Sequence, residues 1–349
     1  MHGSAKRGDM VDREAVMNEI KSGLTGDMEH DSSYLIDKLH EYRDDREISS
    51  EIAEIALSYL SEETLESLDD ELISNREKMH DSYEKAFQLA EMGLYQQAYD
   101  VIDDIAQEIL PLDFYIHGNN LEFRSFSESF ERDLYIEFEH PSVPVQPSPF
   151  PCEEIFVLHG SILLALGRIE EAITSLAVAL LWNPVSHDAA VMLSEAYKLK
   201  NDDEMLLTLT MNSFRYAFRL IHLAELYYNL GYAYAKMERW DDAACCFVLS
   251  RRYGGGEIAS SAQHQIERHL GRKLQEPDEE TVRQCAMNNG FPLGPDPEII
   301  QLAREIGMEY YTDGDYEGAQ YYYEIAYELS GDENDSILLS GVTGESPLM

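Results

Sequence analysis

The sequence predicts an all-α fold: a right-handed α-solenoid of helix-turn-helix repeats, with a helical N-terminal cap and one irregular insertion. Two observations carry this expectation. Small and aromatic residues recur at helical spacing along the chain, and the turns between them recur at a period near 34 residues. A helix pair built on such a pattern leaves one apolar face uncovered, so it must stack on neighbouring pairs.

The clearest unit lies at Tyr227, Leu230, Gly231 and Tyr234, followed by Trp240, Ala243 and Phe247. The first group shares one face of a first helix, and Ala243 and Phe247 share one face of a second. Gly231 and Ala243 are small, which lets the two helices approach closely. The scheme recurs at Gly160, Leu163, Gly167, Ala172, Leu176, Ala179 and Pro184. It recurs again at Gly307, Tyr310, Gly314, Tyr316, Ala319, Tyr323 and Ala326, and at Ala86, Leu89, Gly93, Tyr95, Ala98 and Ile102. A weaker copy runs through Leu193, Ser194, Tyr197, Asn201 and Leu206. The turn positions Gly167 and Asn201 are 34 residues apart, and Glu238 and Gly314 are 76 apart, close to two periods. One divergent helix pair is therefore expected in that gap, over residues 257–272 and 278–289 with Asp278 as N-cap. The array counts about five to six repeats.

These units resemble the tetratricopeptide repeat superfamily, with Tyr227 in place of the first tryptophan of its pattern. The segment Leu181-Trp182-Asn183-Pro184-Val185, with Ala196-Tyr197-Lys198 after it, further resembles a group of bacterial tetratricopeptide proteins; no function comes with that likeness. The superfamily resemblance implies a groove lined by the first helix of each repeat, binding an extended peptide or a helix. Carried onto this chain, the groove-facing positions are Tyr83 and Phe87; Val157, Ser161 and Leu164; Val191, Glu195 and Lys198. Further along they are Tyr228, Tyr232 and Lys236, then Arg304, Met308 and Tyr311. Some members clamp a C-terminal carboxylate with a Lys, Asn and Arg array. The matching positions here hold Tyr83/Phe87, Val157/Ser161 and Tyr228/Tyr232, which argues against such a clamp.

In chain order, residues 1–10 are expected to be disordered. Residues 11–78 are expected to form a helical cap or subdomain, with helical segments over 12–24, 32–43 and 48–76, the last broken near Ser61. The array spans residues 79–330 and is interrupted at 111–151. That insertion holds two aromatic runs around Gly118-Asn119-Asn120, expected as a small hairpin over 112–123. A short helix follows over 127–138, and then a proline run from Pro141 to Pro151 that favours extended backbone. Residues 331–349 are rich in Gly, Ser and acid and read as a flexible acidic tail.

Charge narrows the partners. The 349 residues carry 67 Asp plus Glu against 26 Lys plus Arg, a formal net charge of −41. Such a field opposes nucleic acid and anionic membrane and attracts basic protein or peptide partners. It also serves solubility alone. No apolar run reaches the length of a membrane span. Four scattered cysteines without C-x-x-C spacing read as reduced thiols in a cytoplasmic protein, buried as ordinary packing groups.

Nothing in the sequence names a catalyst. No two of the eleven histidines stand four apart, and the nearest pair, His264 and His269, is five apart, so no helical metal-ligand pair is expected. Thr312-Asp313-Gly314-Asp315 falls at a repeat turn and lacks the order of a calcium loop. Phosphate-binding and nucleophile-elbow motifs are missing. The reading is a non-catalytic protein- or peptide-binding adaptor without cofactor or metal. The alternative is a peptide-sensing regulator with the N-terminal helices as effector, and an enzyme of unrecognised type stands third.

Overall fold

A computed structural model describes residues 13–25, 62–109 and 121–343, with residues 30, 31, 34, 35, 38, 42, 48, 51, 52 and 55 between them. The expectations for residues 1–10, for most of 26–61 and for the turn of the 112–123 hairpin lie outside the described residues. Helix α1 is Arg13–Ser22, and α2 runs without a break as Glu62–Glu91. The array continues with α3 (Tyr95–Ile109), α5 (Cys152–Ala165), α6 (Ile169–Trp182), α7 (His187–Lys200) and α8 (Asp203–Ser213). It goes on through α9 (Leu220–Lys236), α10 (Trp240–Arg252), α11 (Gly256–Leu270) and α12 (Glu279–Asn289). Helices α13 (Pro297–Asp313), α14 (Tyr316–Ser330) and α15 (Glu333–Thr343) close the described chain.

Neighbouring helices pack in consecutive pairs, α2 on α3, α5 on α6, α9 on α10 and α13 on α14. The fold is an all-α solenoid of helix-turn-helix repeats. The reason lies in the turns and the close contacts. Gly93, Gly167, Asn201, Glu238 and Gly314 all adopt left-handed backbone, with φ between 57 and 82°. That conformation ends one helix and returns the chain along it. Gly231 then faces the ring of Phe247, and a Cβ on Gly231 would lie 2.6 Å from its Cε1. Ala172, Ala243 and Ala319 are fully buried on the matching second helices.

The divergent pair expected between Glu238 and Gly314 is present as α11 and α12. The Asp278 side chain caps α12 by accepting from the Thr281 backbone N–H at 2.8 Å. Both helices pack on α10, and Ala259, Val282, Cys285 and Ala286 complete the core around Tyr227 and Phe247.

Three segments depart from the sequence reading. The strand Glu122–Arg124 (β1) pairs in parallel with Val145–Pro147 (β2), so it does not close an antiparallel hairpin there. Parallel strands need a crossover, and α4 (Ser129–Glu139) supplies it. Within the stretch expected to be a flexible tail, residues 344–349 lie outside the described residues, and Glu333–Thr343 is a helix docked on α14. Long-range contacts fix it. Arg304 Nε and Nη2 donate to the two carboxylate oxygens of Asp335 at 2.7 Å each, and Ser330 Oγ donates to the same carboxylate. The third departure is α2, which crosses the boundary drawn at residue 78 as one helix.

Helix α4 also joins distant parts of the array. Phe130 and Leu134 share a core with Phe218, with Ile299 and Ala303 of α13, and with Tyr322 and Ile325 of α14. Tyr322 Oη donates to Asp133 at 2.6 Å, and Tyr321 Oη donates to Glu128 at 2.8 Å.

Candidate peptide-binding groove

Helices α9, α10 and α11 enclose a hollow of ≈ 530 Å³. Tyr228, Tyr232 and Lys236 enter it from α9, one turn apart at i, i+4, i+8. Phe247 and Trp240 of α10 line it as well. Ile258, Ala262 and Ile266 of α11 line it at the same helical spacing, together with His269. The Tyr228 and Phe247 rings lie 6.3 Å apart, and those of Trp240 and His269 lie 6.5 Å apart. Ile258 is 56% exposed, so a large apolar side chain faces water at the rim.

Lys198 of α7 braces the α9 wall. It is buried, its Nζ lies 4.6 Å from the Tyr228 ring centroid and 5.4 Å from that of Tyr232, and it donates to Glu195 at 2.5 Å. Burial pulls the Lys198 ammonium below the ordinary lysine range, and the Glu195 charge only partly offsets this. Lys236 is exposed and donates to Asn201 Oδ1 at 3.0 Å. One cation therefore sits inside the wall and one stands at the rim.

The other groove positions are not gathered in this hollow. Tyr83 and Phe87 on α2 stack on each other with centroids 6.5 Å apart. Val157 and Leu164 are half-buried and pack against the cores of their own repeats, while Ser161 Oγ donates back to Leu158 O at 2.8 Å. Val191 is half-buried on α7. Arg304 is a correction, since its guanidinium is spent on Asp335 and holds α15 in place. Met308 and Tyr311 are exposed at 47% and 43%.

Trp240, Ile258, Ile266 and His269 were missed by sequence reasoning. Trp240 lies on a second helix, and α11 is too divergent to read as the first helix of a repeat. Its stripe of Ile258, Ala262 and Ile266 was nevertheless visible as an apolar face without a partner. A second unforeseen cluster lies between α7 and α9. The rings of His187 and His222 stack at 3.8 Å, and His187 Nε2 lies 2.6 Å from Glu225. Burial, with the nearby charges of His187 and Arg219, pushes the His222 imidazole down to about 2, so it stays neutral. Among the described residues no group of three or more His, Cys, Asp and Glu is placed to hold a metal ion. No described helix is long and apolar enough to cross a membrane.

Residues 153–186 match the tetratricopeptide repeat family, a stretch that covers α5 and α6 up to the Ser186 cap of α7. The helix pairs around it repeat the same helix-turn-helix architecture, so the matched tetratricopeptide repeat sits within a solenoid of like pairs. Repeats of this family generally mediate protein–protein binding. No curated protein matches the chain.

Proposed function

We propose that this chain is a non-catalytic adaptor that holds a peptide segment of another protein in the groove along α9 and α11. The observation that carries the reading is the ≈ 530 Å³ hollow walled by Tyr228, Tyr232, Trp240 and Ile258. Its size and apolar lining suit one large side chain of a bound segment, and rigid aromatic walls give contact area at small entropic cost. Lys236 and Glu257 at the rim balance in charge, so the hollow itself selects for an apolar anchor. The −41 net charge favours an anchor flanked by basic residues, because the field speeds encounter with cations.

Selection of random displayed peptides on the wild-type protein tests this. The expected clones carry a large apolar residue with Lys or Arg nearby, and lose binding on Tyr232→Ala while the melting temperature stays nearly unchanged. Raising salt should slow their association more than it speeds dissociation. Clones that are acidic, or indifferent to Tyr232 and to salt, reject the reading.

One observation favours the regulator alternative. Helix α2 runs unbroken from Glu62 to Glu91 and carries Tyr83 and Phe87. A continuous helix is a stiff link between the N-terminal segment and the array. Spin labels on α1 and on α14 distinguish the two readings: a ligand-dependent change in their separation supports the regulator, and a fixed separation supports the adaptor.

A further inference from the structure

A second cavity, of ≈ 360 Å³, lies where the insertion meets the first helices of the array. Its walls come from three separate segments. His80, Tyr83 and Glu84 face it from α2, Glu154 from the first turn of α5, and Phe126 with the Pro147–Pro151 run from the insertion. The prolines hold the wall extended and leave few backbone donors to turn toward a ligand.

The exposed charge in this cavity is mainly acidic, with His80 opposing it. Arg124 also lines it, but it is 6% exposed and each of its three nitrogens donates within the protein. Its Nε donates to Glu122 at 2.6 Å, its Nη2 to Tyr135 Oη at 2.9 Å, and its Nη1 to Leu181 O. Glu84 and Glu154 are exposed, and among the described residues no Lys or Arg stands within ion-pair distance of either. The Tyr83 hydroxyl feels the same field. Burial pushes its pKa up to about 12, and Glu154, Glu84, Glu153 and Asp188 add to the rise. Burial likewise raises the Glu154 carboxyl, while the His80 charge opposes it. Two unpaired carboxylates thus stand beside the half-buried rings of Tyr83 and Phe126. A cation is attracted both by carboxylates and by the faces of aromatic rings.

We propose that this cavity binds the guanidinium or ammonium head of an arginine or lysine in a basic peptide segment. Glu84 and Glu154 supply the counter-charge, and Tyr83 and Phe126 supply the ring faces. The site is separate from the α9–α11 hollow and takes a cation where that hollow takes an apolar side chain. It stands on different residues, so either can fail alone.

The probe is a fluorescein-labelled octapeptide of alternating arginine and alanine, titrated by anisotropy at low ionic strength, with the glutamate–alanine octapeptide as its opposite. Glu84→Gln with Glu154→Gln should weaken binding about tenfold or more, since both charged contacts are removed. Glu305→Gln with Glu324→Gln makes the same change of net charge on exposed residues of α13 and α14 and should alter binding less than about twofold. Tyr83→Ala should weaken binding and Tyr83→Phe should not, which separates the ring face from the hydroxyl. The proposal is overturned if both double variants lose affinity equally, since the attraction is then the field of the whole chain. It is also overturned if the glutamate peptide binds as well, or if Tyr232→Ala, and not the change at Glu84 and Glu154, abolishes binding. The last result would place the basic segment in the α9–α11 groove and leave that reading standing.

Discussion

Asp335 is 1% exposed and still ionised, because Arg304 and Ser330 hold its carboxylate. Burial raises its pKa, but the hydrogen bonds from Arg304 and Ser330 and the Arg304 charge outweigh it, and the net direction is down. A depressed carboxylate stabilises the fold above its unfolded value near 3.9, and that contribution is lost as pH falls through the folded value. Arg304→Ala leaves the carboxylate buried without its main partner. The cost should be about 1–3 kcal/mol at neutral pH, below the value for a fully buried pair because water reaches the guanidinium. Urea denaturation should record this loss at pH 7, and the gap to wild type should narrow below about pH 4. Glu153 behaves in the opposite sense. It is 2% exposed, accepts from Ser127 Oγ and Ser186 Oγ, and faces the charges of Glu131 and Asp188. Burial pushes its carboxyl up to about 7, against the pull of the two serine hydrogen bonds. Between the unfolded value and about 7 the folded state binds the extra proton, so stability falls as pH rises through that window. The full effect is on the order of 3 kcal/mol by the free-energy value of a pKa unit. Glu153→Gln should therefore flatten the decline in melting temperature between pH 5 and 8. An unchanged slope would place the decline elsewhere, with the likewise raised Glu131 as the next group to test.

At the scale of the helix, the repeat depends on close approach. A Cβ on Gly160 would lie 2.5 Å from Leu176 Cγ, one on Gly231 2.6 Å from Phe247 Cε1, and one on Gly307 2.7 Å from Tyr323 Cε1. Three helix pairs thus use the same contact, a glycine against a large side chain of the partner helix. Gly231→Ala should cost about 1–3 kcal/mol through overpacking. Gly341→Ala in α15 meets nothing within 4 Å and should be neutral or stabilising by up to about 1 kcal/mol. Equal melting shifts for the two variants would show that close approach is not what these glycines provide. This contact also explains what was legible beforehand. Gly231 and its partner Phe247, like Gly307 and its partner Tyr323, stand only 16 residues apart, and the packing rule forces their types and spacing. The helix α15 was not legible, because its anchor is Arg304, 31 residues from Asp335. The β1–β2 pairing was not legible for the same reason, as its register depends on where α4 docks. Of the hollow's lining, the α9 side was legible through Tyr228, Tyr232 and Lys236. Its α11 wall lacks the repeat's signature residues, although it keeps the apolar stripe.

A solenoid is quasi-one-dimensional, with each repeat stabilised by its neighbours. This molecule breaks that rule at α4. Phe130 is fully buried, 5.4 Å from the Phe218 ring and 5.7 Å from the Tyr322 ring, both nearly edge-on. Around it Arg219 Nη2 donates to Glu128 at 2.9 Å, and the Leu220 backbone N–H donates to Glu328 at 2.8 Å. Glu128 and Tyr321 meet across 193 residues of sequence. The insertion therefore acts as a strut that ties the last repeat to the middle of the array, and it makes unfolding of the last repeat depend on a contact outside its nearest neighbours. Phe130→Ala should cost about 3–5 kcal/mol in that core. The loss should not spread evenly. Amide hydrogen exchange in α13 and α14 should accelerate strongly, while α9 and α10, whose core is built around Tyr227 and Phe247, should keep most of their protection. If exchange instead rises equally in all four helices, the array unfolds as one cooperative unit and the strut has no local role. If α13 and α14 keep wild-type protection, the last repeat is held by α15 and its own packing, and α4 merely lies against it.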